Sequence, residues 1–423
     1  MFEWNIGFNF IMKIKKDYIN TFGEKEIYNL KNMIHQLNKD EYNHFVNCVK
    51  ITQNDEMFPS IALIKYSLIG KEQPDLYENP NSIYRELRSL VIDIKNENIV
   101  LCPFKKFFNV NEIPETSMEN VINNIKCAKT VEISNKLDGS MQQARWYNNQ
   151  FFYTGSSAID PKESQQLKDG LDIFNSSVNH QNMVKENPNL TFIFEYISPN
   201  NLIVVKYNET KLCLIGIRDV YTGRQFTYNE MVEYANKYNV PHTEVENRTF
   251  NEVINSIDNY HAEEKEGWVL YVDGNMYKMK CNEYREVHRI LSFVSAPNII
   301  MKSIADDYFD DIISKVPEAY RENIRKVADI VYKYVRDTQK AIDEWYEKMP
   351  KNDRKTFAIA VNKSVPNELK RFMFSKFNGQ SFHILKKYEN TQSPQYMKLS
   401  EIIGTNNYIS FFNSFGIKNI DEE

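Results

Sequence analysis

The order of strand-like and helix-like segments along the chain limits its fold more than any other feature. From about residue 82 to residue 289, short runs rich in β-branched and aromatic residues alternate with Asn, Gly, Pro and Asp, which is typical of β-strands separated by turns. After about residue 295 this pattern stops, and apolar residues recur three and four positions apart, which is typical of amphipathic helices. The sequence therefore predicts a sheet-rich central region followed by a helical C-terminal region.

Individual strands and one hairpin can be predicted within the central region. Asp273-Gly274 lies between two alternating segments, WVLYV and MYKMK, which is a strong signal for a β-hairpin. Residues 1–81 instead mix helical segments such as EKEIYNLKNMIHQL with a proline-containing loop. The predicted strands are SLVIDI, NIVLCPF, TVEISNKL, FFYTG, LTFIFEYI, NLIVVKY, KLCLIGI and GWVLYV.

The length of the chain indicates more than one domain. Its 423 residues fit two or three domains, at roughly 100–200 residues each. We predict the zones 1–81, 82–294 and 295–423, with a joint at Ala296-Pro297-Asn298. The predicted fold class is α+β, with antiparallel sheets and flanking helices in the central zone and an all-helical C-terminal zone.

Composition and charge exclude several classes of protein. The 52 Lys and Arg against 57 Asp and Glu give a net charge of −5, which argues against binding nucleic acid through bulk charge alone. Five cysteines without a C-x-x-C pair indicate a reduced protein with neither a disulfide framework nor a zinc site. The sequence has no signal-peptide pattern and no apolar run of about 18 residues. We therefore expect no membrane span and a cytoplasmic location, in the host cell if the protein is viral.

A lysine beside Asp-Gly at the end of a predicted strand is the first candidate for chemistry. Lys136, Asp138, Gly139 and Ser140 follow the strand TVEISN, and a glycine there lets the backbone approach a ligand closely. Taken alone, the pattern is more typical of a surface turn than of a site. Its meaning depends on the other charged residues that the strands carry.

Charged residues at strand positions recur on both sides of this lysine. Glu195 ends the apolar strand LTFIFEYI, where a buried carboxylate needs a partner. Lys278 and Lys280 are two residues apart and share one face of a strand. Each residue alone fits the solvent side of a half-exposed strand. The four cations and two carboxylates that a triphosphate and its divalent metal would require are Arg88, Lys106, Lys278, Lys280, Glu195 and Glu266.

The order and spacing of these residues resemble those of covalent nucleotidyltransferases, the superfamily of ATP-dependent ligases and capping enzymes. Within the superfamily, the chain most resembles the phage-type RNA ligase family that repairs cleaved tRNA anticodon loops. Three stretches carry this resemblance: PFKKFFNVNE, FEYISPNNLIVVKY and EGWV with MYKMK. The similarity covers roughly residues 82–292, about half of the chain.

The resemblance implies an enzyme that forms phosphoric-ester bonds in three steps. A lysine takes AMP from ATP and releases pyrophosphate, the AMP passes to an RNA 5′-phosphate, and a 3′-hydroxyl displaces AMP to seal the strand. Residues 82–294 would form the adenylyltransferase domain, and residues 1–81 an N-terminal extension packed on it. Residues 295–423 would select the RNA substrate.

The resemblance also implies roles for individual residues. Lys136 would be the nucleophile, and the nearby cations would lower its pKa from the ordinary value of about 10.4. Lys278 and Lys280 would hold the α-phosphate and act in catalysis with Lys136. The other ATP-binding residues that it implies are Arg88, Lys106, Asp138, Gly139, Glu195 and Glu266.

Mg²⁺ or Mn²⁺ is implied as the partner of ATP. Glu266 and Asp138 would hold it, and Glu195 would bind either the ribose or the metal. Asp310 is the choice for a second metal, although a solvated helix face explains its acidic neighbours equally well. Tyr196, Trp268 and Phe108 could stack on adenine, but aromatic residues on strands more often belong to the core.

The expected partner is RNA with 5′-phosphate and 3′-hydroxyl ends, a cleaved tRNA being the family's usual substrate. Residues 351–390 contain nine basic and three acidic residues, a local net charge of +6. This segment is either an RNA-backbone surface or a solvated helix face. We expect a monomer that is coupled to a separate kinase–phosphatase. The candidate RNA-binding residues are Lys351, Arg354, Lys355, Lys370 and Arg371.

Two departures from the family pattern and three alternative functions remain open. Thr154 precedes Gly155-Ser156 where the family often has a basic residue, and the N-terminal zone is longer than the family pattern predicts. Met141 stands where DNA ligases and capping enzymes usually have Arg, and both usually continue into a strand-rich barrel where this chain has a helical pattern, which favours an RNA ligase. An mRNA guanylyltransferase, a DNA ligase and a catalytically silent RNA-binding relative are the alternatives to an RNA ligase.

Overall fold

The computed structural model describes most of the chain, which forms two compact units at residues 1–285 and 286–420. The first unit mixes sheets and helices and the second is chiefly helical, so the predicted α+β class is confirmed. Of the predicted joint, Ala296 and Pro297 lie outside the described residues. The described residues are 2–24, 29–53, 58–67, 70, 73, 75–201, 203–295, 298–314, 316, 318–388, 395–405 and 411.

Helices flank the sheets of the first unit and make up most of the second. In the first unit they are α1 Ile6–Phe22, α2 Leu30–Leu37, α3 Asp40–Cys48, α4 Asp75–Glu78, α5 Met118–Cys127, α6 Gln165–Ser176, α7 Val178–Glu186, α8 Tyr228–Tyr238 and α9 Phe250–Asn255. Helix α10, Asn282–Ser295, begins in the first unit and ends in the second. The others are α11 Ile299–Ala305, α12 Phe309–Ser314, α13 Glu318–Lys348, α14 Arg354–Ser364, α15 Asn367–Phe377 and α16 Leu399–Ile403.

The strands of the first unit form three four-stranded sheets, in the orders β1-β2-β3-β4, β10-β9-β7-β8 and β5-β12-β11-β6. Neighbouring strands are antiparallel except for β5 and β12, which are parallel. The strands are β1 Val49–Gln53, β2 Ile61–Tyr66, β3 Arg88–Asp93, β4 Asn98–Leu101, β5 Phe108–Asn109, β6 Val131–Lys136, β7 Ser140–Tyr147, β8 Gln150–Gly155, β9 Leu190–Ile197, β10 Lys211–Asp219, β11 Gly267–Val272 and β12 Asn275–Lys280.

The N-terminal residues share a sheet and a core with the residues that follow them. Strands β1 and β2 precede residue 82, whereas β3, which pairs with β2, follows it. Apolar side chains of α1–α3 pack into the same core as those of β3 and β4. The predicted boundary near residue 81 therefore runs through one sheet, because β2 lies before it and β3, which hydrogen-bonds to β2, lies after it.

The turn from β6 to β7 carries the chain from one sheet to another. Lys136 is the last residue of β6 and Ser140 the first of β7, so only residues 137–139 span the step. A Cβ on Gly139 would lie 2.3 Å from the carbonyl oxygen of Tyr196 on β9. Gly139 is therefore required for the close approach of this turn to β9.

The free edge of β6 is covered by an extended segment at residues 243–246. The Asn135 N–H donates to the Glu244 carbonyl at 2.9 Å, and the Glu246 N–H donates to the Ile133 carbonyl at 2.8 Å. Strand β6 is thus held on both sides, by β11 and by this segment.

The strand predictions are mostly confirmed, and one is wrong. The β11–β12 hairpin turns at Asp273 and Gly274, whose φ angles of 47° and 85° are those of a type I′ turn. The segment NLIVVKY, however, is a loop in its described residues, 201 and 203–207. Its backbone N–H groups at Val204 and Val205 donate to the Asp138 carboxylate at 2.8 Å instead of to a strand. Burial of Val204 and Val205 explains the apolar sequence.

The second unit has a core formed by α13, α14 and α15, as the apolar spacing predicts. The predicted helix KSIADDYFDDIISKV is broken into α11 and α12, and Asp307 between them has a φ of 56°. An antiparallel pair, β13 Lys386–Tyr388 with β14 Gln395–Tyr396, corrects the prediction of an all-helical region. None of the described helices is long and apolar enough to cross a membrane. The five cysteines are free thiols.

Candidate active site

Lys136, Glu266 and Lys280 meet at one level of the sheet β5-β12-β11-β6. Gly267, the first residue of β11, lies opposite Lys136 on β6 and opposite Lys280 on β12. Glu266 precedes it and contacts both lysines: Lys136 Nζ lies 2.8 Å from Oε2, and Lys280 Nζ lies 2.8 Å from Oε1. Glu266 is fully buried, and each lysine side chain is 14% exposed. Strand register thus explains how residues far apart in sequence form this cluster.

Gly267 is the residue that makes this arrangement sterically possible. Its φ of +150° lies in a region that favours glycine, and a Cβ there would be 2.0 Å from the Met279 carbonyl oxygen. In the sequence motif Glu-Gly at 266–267, the glutamate therefore supplies a buried carboxylate and the glycine allows β11 and β12 to approach closely.

The cluster has an excess of positive charge. A buried carboxylate is costly without partners, and the two lysine amines supply them. One carboxylate against two ammonium groups leaves a net charge of +1 in a mostly buried place. Such a site favours an anionic ligand.

A second group of cations adjoins the first. Burial lowers the pKa of Lys278 well below its usual range, and the neighbouring charges of Arg88, Lys280 and Lys136 lower it further. Arg88 and Lys278 both lie over the Phe107 ring, at 5.0 and 4.8 Å from its centroid. The Arg88 Nη1 atom is buried without a hydrogen-bond partner. An anion between these cations would satisfy this donor and relieve their mutual repulsion.

Asp138 fastens a loop to the turn that follows Lys136. It is fully buried, and its Oδ2 accepts from the N–H groups of Val204 and Val205. Its Oδ1 accepts from the Tyr284 hydroxyl at 2.7 Å, and its own N–H donates to the Tyr207 hydroxyl at 2.8 Å. The sequence analysis missed both tyrosines, because a tyrosine in a loop or on a helix carries no signal of its hydrogen-bond partner.

Glu195 lies beside the same turn from the other sheet. It is nearly buried near the end of β9, and its Oε1 accepts from the Gly139 N–H at 3.0 Å. Strand β9 places Glu195 opposite Met141 of β7. The carboxylate thus helps to fix the Asp-Gly turn.

Other predicted site residues lie elsewhere. The Lys106 amine lies over the rings of Tyr66, Tyr77 and Phe108, at 4.4, 4.3 and 5.4 Å from their centroids. Asp310 is exposed in the first turn of α12, in the second unit. Within the described parts of the chain, no group of three His, Cys, Asp or Glu side chains could hold a metal by itself.

The aromatic residues proposed for adenine are core residues. Trp268, Tyr196 and Phe108 are all buried. The partly exposed ring beside the cations is Phe107, which the sequence analysis did not single out. The alternation of side chains along KKFFN could have separated the two phenylalanines. Thr154, at the departure from the family pattern, is buried and accepts from Gln143 at 3.1 Å.

The candidate RNA-binding residues differ in their availability. Arg354 and Lys355 are exposed in the first turn of α14. Lys351 forms an ion pair with a glutamate of α13 at 2.8 Å. Lys370 donates to a backbone carbonyl at 3.1 Å, and Arg371 donates to two. The two residues of α14 are therefore better placed to meet an external phosphate than the other three.

Comparison with protein families gives a match over the residues that form this site. Residues 86–284 match a family model described as RNA ligase. A curated protein of Thermovibrio ammonificans, a putative RNA ligase, is 24% identical over 353 residues, which cover 79% of this chain and 88% of that protein.

Comparison with solved structures gives more distant similarity. An RNA ligase mutant of Naegleria gruberi, solved with ATP and Mn, is 20% identical with a TM-score of 0.31, and the match covers 40% of this chain and 55% of that one. An archaeal ATP-dependent RNA ligase is 14% identical with a TM-score of 0.42, over 69% of this chain and 78% of that one. This chain therefore spans little more than half of the Naegleria protein.

Proposed function

We propose that this chain is an RNA ligase of the nucleotidyltransferase superfamily that seals RNA 3′-hydroxyl and 5′-phosphate ends at the expense of ATP, and the family match over residues 86–284 and the curated relative support this proposal. The observation that carries the proposal is the contact of Lys136 with the buried Glu266, beside Lys280, Lys278 and Arg88. A lysine held next to an acceptor and surrounded by cations suits nucleophilic attack on a phosphate.

In the first step, Lys136 Nζ attacks the α-phosphorus of ATP. A nitrogen–phosphorus bond forms, the bond from the α-phosphorus to the oxygen bridging the β-phosphate breaks, and pyrophosphate leaves. Nζ must lose a proton for this reaction, and Glu266 Oε2 lies 2.8 Å away in position to accept it. Charge that develops on the phosphoryl oxygens is stabilised by the fixed cations Lys280, Lys278 and Arg88.

Two further displacements complete the reaction. An oxygen of the RNA 5′-phosphate attacks the AMP phosphorus, and Lys136 leaves and regains its proton. The RNA 3′-hydroxyl then attacks the 5′-phosphorus, a phosphodiester forms and AMP leaves. In each transfer one bond to phosphorus replaces another, so the same cations serve all three steps.

The donor set suits a divalent cation that is bound largely by substrate. Mg²⁺ is usually held by one or two carboxylates together with phosphate oxygens and water. Glu195 is a buried carboxylate beside the turn that follows Lys136, and Glu266 is a buried carboxylate whose two oxygens already contact Lys136 and Lys280. We assign Glu195 to Mg²⁺ or Mn²⁺ directly and Glu266 through a water molecule of the metal. Asp138 acts through the turn that it fastens or through a water molecule, and Asp310 stays a proposal for a second metal. When bound, the metal would neutralise charge on the phosphates.

The remaining roles concern substrates. Arg88 and Lys106 would contact the outer phosphates, and Gly139 would allow the nucleotide to approach the turn. Residues 295–423 would choose the RNA, with a cleaved tRNA as the proposed substrate and Arg354 and Lys355 as the best-exposed contacts. We further propose a cytoplasmic monomer that depends on a separate enzyme to heal the RNA ends.

The test is transfer of label from α-labelled ATP to the protein with Mg²⁺, read on a denaturing gel. The wild type should form an acid-labile adduct. Lys136→Ala and Lys136→Arg should form none, because alanine has no amine and a guanidinium does not deprotonate. Lys129→Ala is the matched control, since Lys129 is exposed just before β6.

The same assay separates the alternatives. Label from GTP instead of ATP would indicate a capping enzyme, and sealing of nicked duplex DNA in preference to RNA would indicate a DNA ligase. If the wild type takes no label, the remaining alternative is a catalytically silent relative that only binds RNA. Ligation of single strands with 5′-phosphate and 3′-hydroxyl ends, compared with nicked tRNA, tests the proposed substrate.

A further inference from the structure

We propose that Lys265 is a positioning residue for the Lys136–Glu266 pair, an inference that rests on the proposed function. Lys265 immediately precedes Glu266, and its Nζ donates a hydrogen bond to Asn135 Oδ1, which belongs to the residue immediately before Lys136. One side chain thus joins the neighbours of the nucleophile and of its carboxylate partner. No motif or spacing distinguishes Lys265 from the other lysines of the chain.

Lys265 acts from the face of the sheet opposite to the reacting groups. Neighbouring residues of a strand point to opposite faces, so Asn135 and Lys136 lie on different sides of β6. Asn135 pairs in register with the fully buried Trp268, and Lys265 Nζ lies 4.6 Å from the centroid of its ring. Lys265 therefore holds the strands without occupying the place of a substrate.

Trp268 is itself fixed by the segment that covers the edge of β6. Its Nε1 donates to Glu246 Oε2 at 2.9 Å, and the Arg248 Nη2 donates to the same oxygen at 2.6 Å. Hydrogen bonds from the Arg248 guanidinium are the main reason that the pKa of Glu246 is lowered to about 2. We call Glu246, Arg248, Lys265 and Trp268 the rear cluster. It gives Lys265 a rigid base from which to hold Asn135.

The position of Asn135 matters because Lys136 ends its strand. After Lys136 the chain leaves β6 for another sheet. Strand pairing within β6 therefore fixes the nucleophile only through Lys136 itself and the residues that precede it, of which Asn135 is the last. A displacement of about 1 Å at a reacting group can reduce a rate about 100-fold. The cations that bind phosphate lie on β3 and β12, so loss of the Lys265 contact should change the rate of attack more than the affinity for ATP.

The test compares variants by the single-turnover rate of AMP transfer to the protein over a range of ATP concentrations. Lys265→Met keeps the apolar stem on Trp268 but removes the donor, and Asn135→Ala removes the acceptor. Each should lower the rate at saturating ATP at least 10-fold, with half-saturation within about twofold of wild type. Lys265→Arg, which keeps a donor, should recover most of the rate. The double variant should be no slower than the slower single variant, because both remove one contact.

Controls keep the outcome distinct from loss of fold and from failure of the proposed function. Lys168→Met removes an exposed lysine paired with Asp172 on α6 and should label at the wild-type rate. The melting temperatures of the Lys265 and Asn135 variants should stay close to the wild-type value. A wild-type rate in Lys265→Met, an effect confined to half-saturation, or multiplied effects in the double variant would overturn the inference while the proposed function stands. An unlabelled wild type would overturn both.

Discussion

Gly267 is the residue whose backbone the active site constrains most tightly. Its φ is +150°, and a Cβ would lie 2.0 Å from the Met279 carbonyl oxygen. We predict that Gly267→Ala lowers the free energy of unfolding by more than about 3 kcal/mol, because the strands must part or the backbone must change. Urea unfolding measures the change.

Gly274 supplies the control on the same hairpin. Its φ of +85° also favours glycine, but no atom lies within 4 Å of the place of a Cβ. Gly274→Ala should therefore cost only about 1 kcal/mol. Equal losses for the two variants would show that dihedral preference, and not the contact with Met279, constrains position 267.

Lys278 should make ATP binding dependent on pH below the range in which an ordinary lysine titrates. Burial and the charges of Arg88, Lys280 and Lys136 lower its pKa well below the ordinary lysine value, and Glu112 opposes them. The free protein therefore loses the Lys278 proton at a lower pH than an ordinary lysine, and bound phosphate favours its return. Affinity should fall as pH rises through this lowered pKa, with proton uptake on binding.

The comparison variant is Lys278→Arg, whose charge persists at alkaline pH. Titration with an ATP analogue that cannot be cleaved at the α-phosphate, between pH 7 and pH 10, should show a flatter profile for this variant. The same slope in both proteins would assign the titration to another group.

At the scale of elements, Glu246 ties the segment at residues 243–246 to the rear cluster. Its pKa is lowered from 4.5 to about 2, so the native state holds it ionised where the unfolded state is already protonated. This stabilisation is complete above pH 4.5 and disappears as pH falls through about 2. Glu246→Gln should cost about 2 kcal/mol at pH 7, less than the full pKa shift implies, because Arg248 is 32% exposed and water screens part of the ion pair.

Unfolding by urea at pH 7 and at about pH 2 tests this prediction. The difference between wild type and Glu246→Gln should be present at the first pH and mostly lost at the second, where Glu246 is about half protonated in the native state. Glu233→Gln is a control, because Glu233 is exposed on α8 and its substitution removes the same charge without touching the rear cluster. A difference that persists at low pH would indicate lost packing in place of lost charge.

Elements with a local signal could be predicted, and those fixed by distant partners could not. Asp273-Gly274 predicts the hairpin correctly because the geometry of a turn depends on the turn residues themselves. NLIVVKY has the composition of a strand, but the N–H groups of Val204 and Val205 bind Asp138, 66 and 67 residues earlier in the chain. The same limit applies in the site: Lys136, Glu266 and Lys280 carry a motif, whereas Lys265 and Tyr284 depend on contacts that no spacing encodes.

At the scale of the whole molecule, charge is distributed unevenly despite the net value of −5. Arg354, Lys355 and Lys363 are exposed on α14, and none has an ion-pair partner among the described residues. We predict that replacing all three with Gln weakens RNA binding. The slope of log K for RNA against log salt concentration should become about 2 less steep, since each lost phosphate contact removes roughly 0.7. The adduct with AMP should form at the wild-type rate.

Three lysines of α13 provide the matched control. Lys326, Lys333 and Lys340 each pair with a carboxylate four residues away on the same helix. Replacing these with Gln removes the same charge but should change the salt slope less, because their charges are already compensated. Equal effects from the two triple variants would indicate a response to net charge alone, without a defined surface on α14.

Because the turn at residues 137–139 connects two sheets, transfer of AMP to Lys136 should measure the fraction of molecules that are folded. Lys136 belongs to one sheet, and Glu195 contacts its turn from another, so the nucleophile is in place only when both sheets have formed and met. A partly folded chain that keeps one sheet would lack the complete set of groups. The fraction of a preparation that accepts one AMP should therefore equal its folded fraction, and denaturant should abolish labelling along the same curve as it unfolds residues 1–285.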